Sequence, residues 1–265
     1  MVHTCILIFA PIHYRKDAPL TMPATEMRRK LFSHERPDLI YAVGDVHGCL
    51  DQLERLQHKI LTDAAQQHGS KWIVMLGDYV DRGPKSRGVI DELMKPMTGD
   101  IERFCLAGNH EATMLDFLDD PRLDHLWLQF GGVETLRSYG ISELPEDRRR
   151  LKALVQEAIP ASHVAFLTAL PSLLAVPGFC FVHAGVVNGV PLQRQEDKHL
   201  LWIRPKDQVG AGADNLFLTV HGHTPVRTVA LSDNRLNVDT GAFMTGRLSA
   251  ARLARDGTIS VMHAE

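Results

Sequence analysis

Five short apolar runs in this chain lead into Asp, His or Asn beside glycine, and that pattern restricts the fold more than any other feature. Leu39-Ile40-Tyr41-Ala42-Val43 leads into Gly44-Asp45-Val46-His47-Gly48, and Trp72 to Leu76 leads into Gly77-Asp78-Tyr79-Val80-Asp81-Arg82-Gly83. Ile101 to Leu106 is followed by Gly108-Asn109-His110-Glu111, Phe181-Val182 by His183-Ala184-Gly185, and Leu218-Thr219-Val220 by His221-Gly222-His223-Thr224-Pro225. Short apolar runs bounded by turn residues read as buried strands. After the first three come helix-spaced segments: Leu50, Leu53, Leu56 and Ile60, then 86–94, then 112–118. Strand–helix alternation calls for parallel strands with helical crossovers. Ligands of such sheets bind outside the carboxyl ends of the strands, where these polar side chains are delivered.

The remainder changes style. Residues 124–170 read as mostly helical, with breaks at Pro145 and Pro160. Short strands are expected at 178–182, 216–220, 226–231, 236–238, 247–254 and 258–262, with Asp256-Gly257 turning the last pair into a hairpin. The expected class is α/β, richer in strand toward the end. No linker or repeat divides it. Residues 1–37, with Pro11, Pro19, Pro23 and Pro37 and little periodicity, are expected to be an N-terminal extension, and 38–265 one catalytic domain.

Composition removes several function classes. A net charge of −3 gives no basis for a nucleic-acid partner. The one basic run, Arg148-Arg149-Arg150, follows Glu146-Asp147 and reads as a solvated helix end. Cys5, Cys49, Cys105 and Cys180 form no CxxC pair and suggest no disulfide framework, so free thiols and a cytoplasmic location are expected. The apolar run from Cys5 to Ala10 is too short to cross a bilayer and lacks the flanks of a signal peptide, so no membrane partner is expected.

Pooled, the five loops offer carboxylates, imidazoles and one side-chain amide, and no thiolate next to them that forms a metal-ligand pair. Oxygen and imidazole donors suit Mn, Fe or Zn. Asp45, His47, Asp78, Asn109, His183 and His223 make six donors, too many for one ion with open positions, and they suit two ions with one Asp78 oxygen on each. Two divalent ions outweigh two aspartates and a bridging hydroxide, so the centre favours an anion. Arg82 lies beside it, and a guanidinium grips phosphate oxygens bidentately. Phosphate-monoester hydrolysis needs accelerations up to ~10²¹-fold, far beyond the ~10²–10⁴ of general acid–base help, whereas a metal pair activates water and stabilises both attacking and leaving oxygens.

At these residues the chain resembles the metal-dependent phosphoprotein phosphatase family within the calcineurin-like metallophosphoesterases. The motifs GDVHG (44–48), GDYVDRG (77–83), GNHE (108–111), HAG (183–185) and GHTP (222–225) stand in the family's order. LLWIRPKD (200–207) and VDTGA (238–242) resemble segments of its short bacterial and bacteriophage-lambda type. The resemblance spans about 38 to 255. It implies a sandwich of two mixed β-sheets flanked by helices. It implies two divalent metal ions, manganese foremost and iron or zinc as alternatives. Asp45 and His47 would hold the first, Asp78 would bridge, and Asn109, His183 and His223 would hold the second. His110 would be the general acid, oriented by Asp81, with Arg82, Arg204 and Asn109 on the phosphate and a metal-bridging hydroxide attacking in line.

The implied activity is dephosphorylation of phosphoserine, phosphothreonine and also phosphotyrosine, with a phosphoprotein or small phosphate ester as partner. The alternative is a dinucleoside polyphosphate hydrolase of the diadenosine tetraphosphate type. In that related family the second motif usually carries Ala where this chain has Asp81, and the third carries Asp where it has Glu111. The presence of all six donors and His110 argues against an inert phosphate-binding module. Glu111 is expected to start a helix, where its charge suits the dipole, and Cys49 and Cys105 to pack as small apolar groups. His221 is expected to be structural, and residues 124–139, with Trp127 and Phe130, an amphipathic packing face.

Overall fold

The computed structural model describes residues 27–204, 217–232 and 234–265. The three expected strand–helix units are present: β2 (Leu39–Val43), α1 (Leu50–Ala64), β3 (Lys71–Met75), α2 (Ser86–Met94), β4 (Ile101–Cys105) and α3 (Asn109–Asp119). These strands pair in parallel, Leu39 opposite Lys71 and Lys71 opposite Ile101. On the far side of β2 runs β10 (Leu248–Ala254), antiparallel, and then β11 (Ile259–Ala264), so the sheet has the order β11-β10-β2-β3-β4. The second sheet contains β1 (Lys30–Phe32), β5 (Leu173–Val176), β6 (Phe179–Val182), β7 (Leu218–His221), β8 (Ala230–Ser232) and β9 (Arg235–Asn237), in the order β1-β5-β6-β7-β9-β8. Both sheets are mixed, as the expected sandwich requires.

Alternating residues of β2 explain its unbroken apolar run. Ile40 and Ala42 join Val74, Leu76 and Leu106 against Leu174, Phe181, Val220 and Leu236 of the second sheet. Leu39, Tyr41 and Val43 face the other way, onto Leu53, Leu56 and Ile60 of α1 and Val89 and Ile90 of α2. A strand buried on both faces has no polar side to show. Residues 124–170 are largely helical as expected: α4 (Val133–Ser138), α5 (Arg148–Ala158) and α6 (Ala161–Ala169), with Asp147 capping α5 through Arg150 N–H at 2.9 Å. The short helices α7 (Asp197–Leu200) and α8 (Ala242–Thr245) complete the chain order.

Three local expectations differ from the structure. Lys30–Phe32, inside the segment read as an extension, forms an edge strand parallel to β5. Leu173–Val176 is a strand paired antiparallel with β6 across Pro177-Gly178, although four residues after Pro171 carry no alternation to announce it. The strand expected over 226–231 shrinks to Ala230–Ser232, because Pro225 and the backbone bond from Val226 N–H to the Asp239 carbonyl hold the preceding residues in the loop. Residues 1–26 lie outside the described residues, Cys5 among them.

Leu56 is fully buried between α1 and the sheet. Leu56→Ala is expected to lower the unfolding free energy by about 2–5 kcal/mol, measured by urea denaturation. A loss below about 1 kcal/mol would place α1 elsewhere.

Candidate metal centre

The loops after β2 and β3 are laced together by backbone bonds: Val46 and His47 N–H donate to the Asp78 carbonyl at 3.0 and 2.8 Å, and Gly48 N–H donates to Tyr79 at 2.8 Å. Much of this backbone is strained. His47, Asp78, Asp81, Arg82 and His223 all have positive φ, at 44°, 52°, 73°, 67° and 66°. Among the described residues only one other non-glycine, Asn234, does so. Such conformations cost roughly 1–3 kcal/mol each and persist only where the surroundings impose them.

The Glu111 carboxylate supplies much of that restraint. It is fully buried and accepts four backbone N–H groups: Asp78 at 2.9 Å, Tyr79 at 2.7 Å, Val80 at 3.2 Å and Gly108 at 2.8 Å. The expected start of a helix at Glu111 holds, since α3 begins at Asn109 and Glu111 stands in its first turn. Its larger task is to clamp the Asp78 loop to that helix.

Around Asp78 the side chains converge. His183 Nδ1 lies 2.9 Å from the Leu76 carbonyl, which makes Nδ1 the donor and leaves a lone pair on Nε2. That Nε2 lies 2.9 Å from Asn109 Oδ1, 3.1 Å from His223 Nδ1 and 3.4 Å from Asp78 Oδ1. Asn109 Oδ1 also lies 2.9 Å from His223 Nδ1. On the other side His47 Nδ1 lies 2.8 Å from the Val80 carbonyl, so its Nε2 lone pair points inward, 3.5 Å from Asp78 Oδ2. The two carboxylate oxygens of Asp78 thus face two different groups of donors. Oxygen and imidazole nitrogen atoms converging this closely on one carboxylate make a donor set that fits divalent metal ions. His47, Asp78 and His110 form one cluster with donor atoms within 4.8 Å, and Asp78, His183 and His223 form another.

Asp45 borders this assembly rather than sitting in either cluster. Its oxygens accept the His223 backbone N–H at 3.2 and 3.1 Å. Burial, then the charges of Asp239 and Asp78, push its pKa well above the usual carboxylate range. Asp78 goes the other way. Burial opposes its ionisation, but His183, His110 and His47 hold it well below that range. Burial pushes the His47 pKa well below the usual imidazole range and drives that of His223 down to about 3.

His110 Nδ1 lies 2.6 Å from Asp81 Oδ2, and burial of the ring is outweighed by Asp78 and Asp81, which raise its pKa. Asp81 is itself held by Trp127 Nε1 at 2.9 Å and Thr135 Oγ1 at 2.7 Å, while its N–H donates to Thr135 and Ser86 hydroxyls. Trp127, read as part of a packing face, is also a partner of the dyad. Arg82 spans the site, with Nη1 3.0 Å from His47 Nε2 and Nη2 3.1 Å from His110 Nε2, and its guanidinium stacks 4.5 Å over the Phe243 ring. Arg204 is exposed at the rim, near enough for its charge to depress His223. His221 lies outside the donor group, its Nδ1 3.1 Å from the Gly222 carbonyl, as the structural reading expects.

The sequence reading assigned no role to Asp239, although it had singled out the VDTGA segment, nor to Thr135 or Ser86. Serine, threonine and aspartate are too common for a single one to signal a site; their function exists only through contacts made across the fold.

Two mixed sheets carrying carboxylate, imidazole and amide donors at their strand ends define a metal-dependent phosphoesterase. The profile of the Calcineurin-like phosphoesterase family matches residues 39–259, and the chain belongs to that family. It is 25% identical over 254 residues to a bis(5'-nucleosyl)-tetraphosphatase (asymmetrical) of Oceanobacillus iheyensis, covering 83% of this chain and 90% of the relative. It is 29% identical over 227 residues to serine/threonine-protein phosphatase 1 of Salmonella typhimurium, covering 81% and 91%. A solved structure provisionally assigned as a diadenosine tetraphosphatase superposes with a TM-score of 0.61 at 22% identity, over 90% of this chain and 99% of that one, which shows the shared fold. Among the described residues no helix is long and apolar enough to cross a membrane.

Glu111→Gln turns an amide NH₂ toward backbone donors and is expected to cost about 1–3 kcal/mol of stability or more, measured by urea denaturation of the metal-free protein. Unchanged stability would show that the loop holds its shape without the clamp.

Proposed function

We propose that this chain is a dinuclear phosphomonoesterase, a serine/threonine protein phosphatase that also accepts phosphotyrosine. The observation that carries the reading is the buried Asp81–His110 pair, 2.6 Å apart beside the donor clusters. An alkoxide is a poor leaving group and needs a proton as its bond to phosphorus breaks. A nucleotide leaves as a stable phosphate anion and needs none. An acid held in place by Trp127 and Thr135 therefore suits an ester of an alcohol.

In this reading Asp45, His47 and Asp78 would hold one divalent cation, and Asp78, Asn109, His183 and His223 the other, manganese foremost and iron or zinc as alternatives. Bound there, the pair would supply Lewis acidity that activates water and offsets the charge of the phosphate. Arg82 grips phosphate oxygens, steadied by the Phe243 face, with Arg204 closing from the rim and the Asn109 amide alongside. Asp81 accepts the Nδ1 proton of His110 and fixes the ring so that Nε2 delivers its proton to the leaving oxygen. The free cysteines Cys49, Cys105 and Cys180 support a cytoplasmic location. The catalytic domain takes in 38–265, with residues 1–37 as an extension of which Lys30–Phe32 joins the sheet edge.

A second reading, asymmetric hydrolysis of dinucleoside tetraphosphates, is favoured by the Oceanobacillus relative. The deciding experiment supplies Mn²⁺-loaded protein with a phosphothreonine peptide, p-nitrophenyl phosphate and diadenosine tetraphosphate. Faster release of phosphate from the peptide is the expected result. Faster cleavage of the dinucleotide would transfer the assignment to the second reading.

His110→Asn should retain both metals and lower turnover by about 10²–10⁴, read from kcat and metal content together. Asp78→Asn should weaken both metal sites; two equivalents bound with undiminished affinity would contradict the bridge.

A further inference from the structure

Asp239 is a buried carboxylate that the reaction outlined above does not use. It follows β9 in the VDTGA segment and is only 1% exposed. One oxygen, Oδ1, accepts the Gly241 N–H at 2.8 Å, closing a tight turn that Gly241 permits with φ of 66°. The other, Oδ2, is buried with no hydrogen-bond partner. Backbone bonds fix the residue on both sides: its N–H donates to Asn237 Oδ1 at 3.0 Å, and its carbonyl accepts Val226 N–H at 2.9 Å. The side chain therefore has little freedom to seek another partner.

Its surroundings are those of the metal centre. A methyl group placed on Gly222 would lie 2.0 Å from Asp45 Oδ1 and 3.5 Å from Asp239 Cβ, so both aspartates border the same glycine. After burial, the charge of Asp239 is the strongest influence on Asp45, and Asp239 in turn feels Asp78, His183 and Arg82. Three buried carboxylates thus lie close enough to feel one another's charge. A buried anion with an unpaired oxygen and like-charged neighbours destabilises the protein on its own, and a cation at the Asp45 side relieves that.

We propose that Asp239 is a third carboxylate of the metal centre, a positioning residue whose partnerless Oδ2 and negative charge strengthen divalent-cation binding at the side formed by Asp45, His47 and Asp78. The inference rests on the metal-centre reading and extends it to a residue outside the six donors. It predicts opposite effects on the metal-free and metal-bound protein, which a merely structural aspartate does not produce. Removing its charge relieves repulsion in the metal-free state and weakens attraction in the loaded one.

The test strips metal from the full chain and titrates Mn²⁺ by calorimetry, with Tm recorded in chelator. Wild type should bind two equivalents. Asp239→Asn should weaken one of them by about 10–100-fold, the usual effect of losing an outer partner of a metal site. It should leave the other nearly unchanged, with the metal-free Tm equal to or above wild type. Asp239→Ser keeps an oxygen for the Gly241 N–H and omits the second one, and it should give the same pattern if the amide variant does not fold. Unaltered affinities at both sites in a wild type that binds two Mn²⁺ would overturn this inference alone, as would a lower metal-free Tm with both sites weakened alike. A wild type that binds no Mn²⁺ would overturn the metal centre and this inference with it.

Discussion

The crowding of buried oxygen and imidazole nitrogen atoms around Asp78 is the constraint on which the site depends. His183 Nε2, Asn109 Oδ1 and His223 Nδ1 lie 2.9–3.1 Å from one another, and His47 Nε2 approaches the opposite Asp78 oxygen. A protein gains little stability of its own by gathering this many buried oxygen and imidazole nitrogen atoms at one carboxylate, since few donors are present to satisfy them. The arrangement makes sense as a receptor for positive charge. His47 and His183 are turned to it by bonds from their other ring nitrogens to the Val80 and Leu76 carbonyls.

The sandwich exists, in this view, to hold that unfavourable cluster in place. Strand ends of both sheets contribute: β2, β3 and β4 lead into Asp45, Asp78 and Asn109, while β6 and β7 lead into His183 and His223. The interlayer packing of Ile40, Val74 and Leu106 against Phe181 and Val220 sets the distance between the two groups of loops. Glu111 then locks the strained Asp78 turn with four accepted N–H bonds, and Trp127 with Thr135 locks Asp81. Stability built into the core and these clamps offsets the positive-φ backbone at five site residues.

The strand–helix units and the loops that bear the donors were readable in the chain because buried parallel strands are continuous apolar runs and their ends carry glycine beside polar residues. Residues 39–43, 50–64 and 86–94 announce themselves in this way. The strands Lys30–Phe32 and Leu173–Val176 did not, being three and four residues long and stabilised by pairing with each other rather than by local pattern. At the site, the six donors and the Asp81–His110 pair stood out as motifs, and the structure brings them to one region, with Asp45 at its border. In the sequence Glu111 reads as a motif residue and helix start, and Trp127 as packing or groove lining, since the bonds that tie them to the Asp78 loop and to Asp81 reach 31 or more positions away along the chain.

Anomalous diffraction from crystals equilibrated with Mn²⁺ tests the central claim most directly. The account predicts two peaks on either side of the Asp78 carboxylate, one within bonding distance of His47 and the Asp45 side, the other among Asn109, His183 and His223. A single peak, or peaks on other residues with these donors left unbonded, would contradict it.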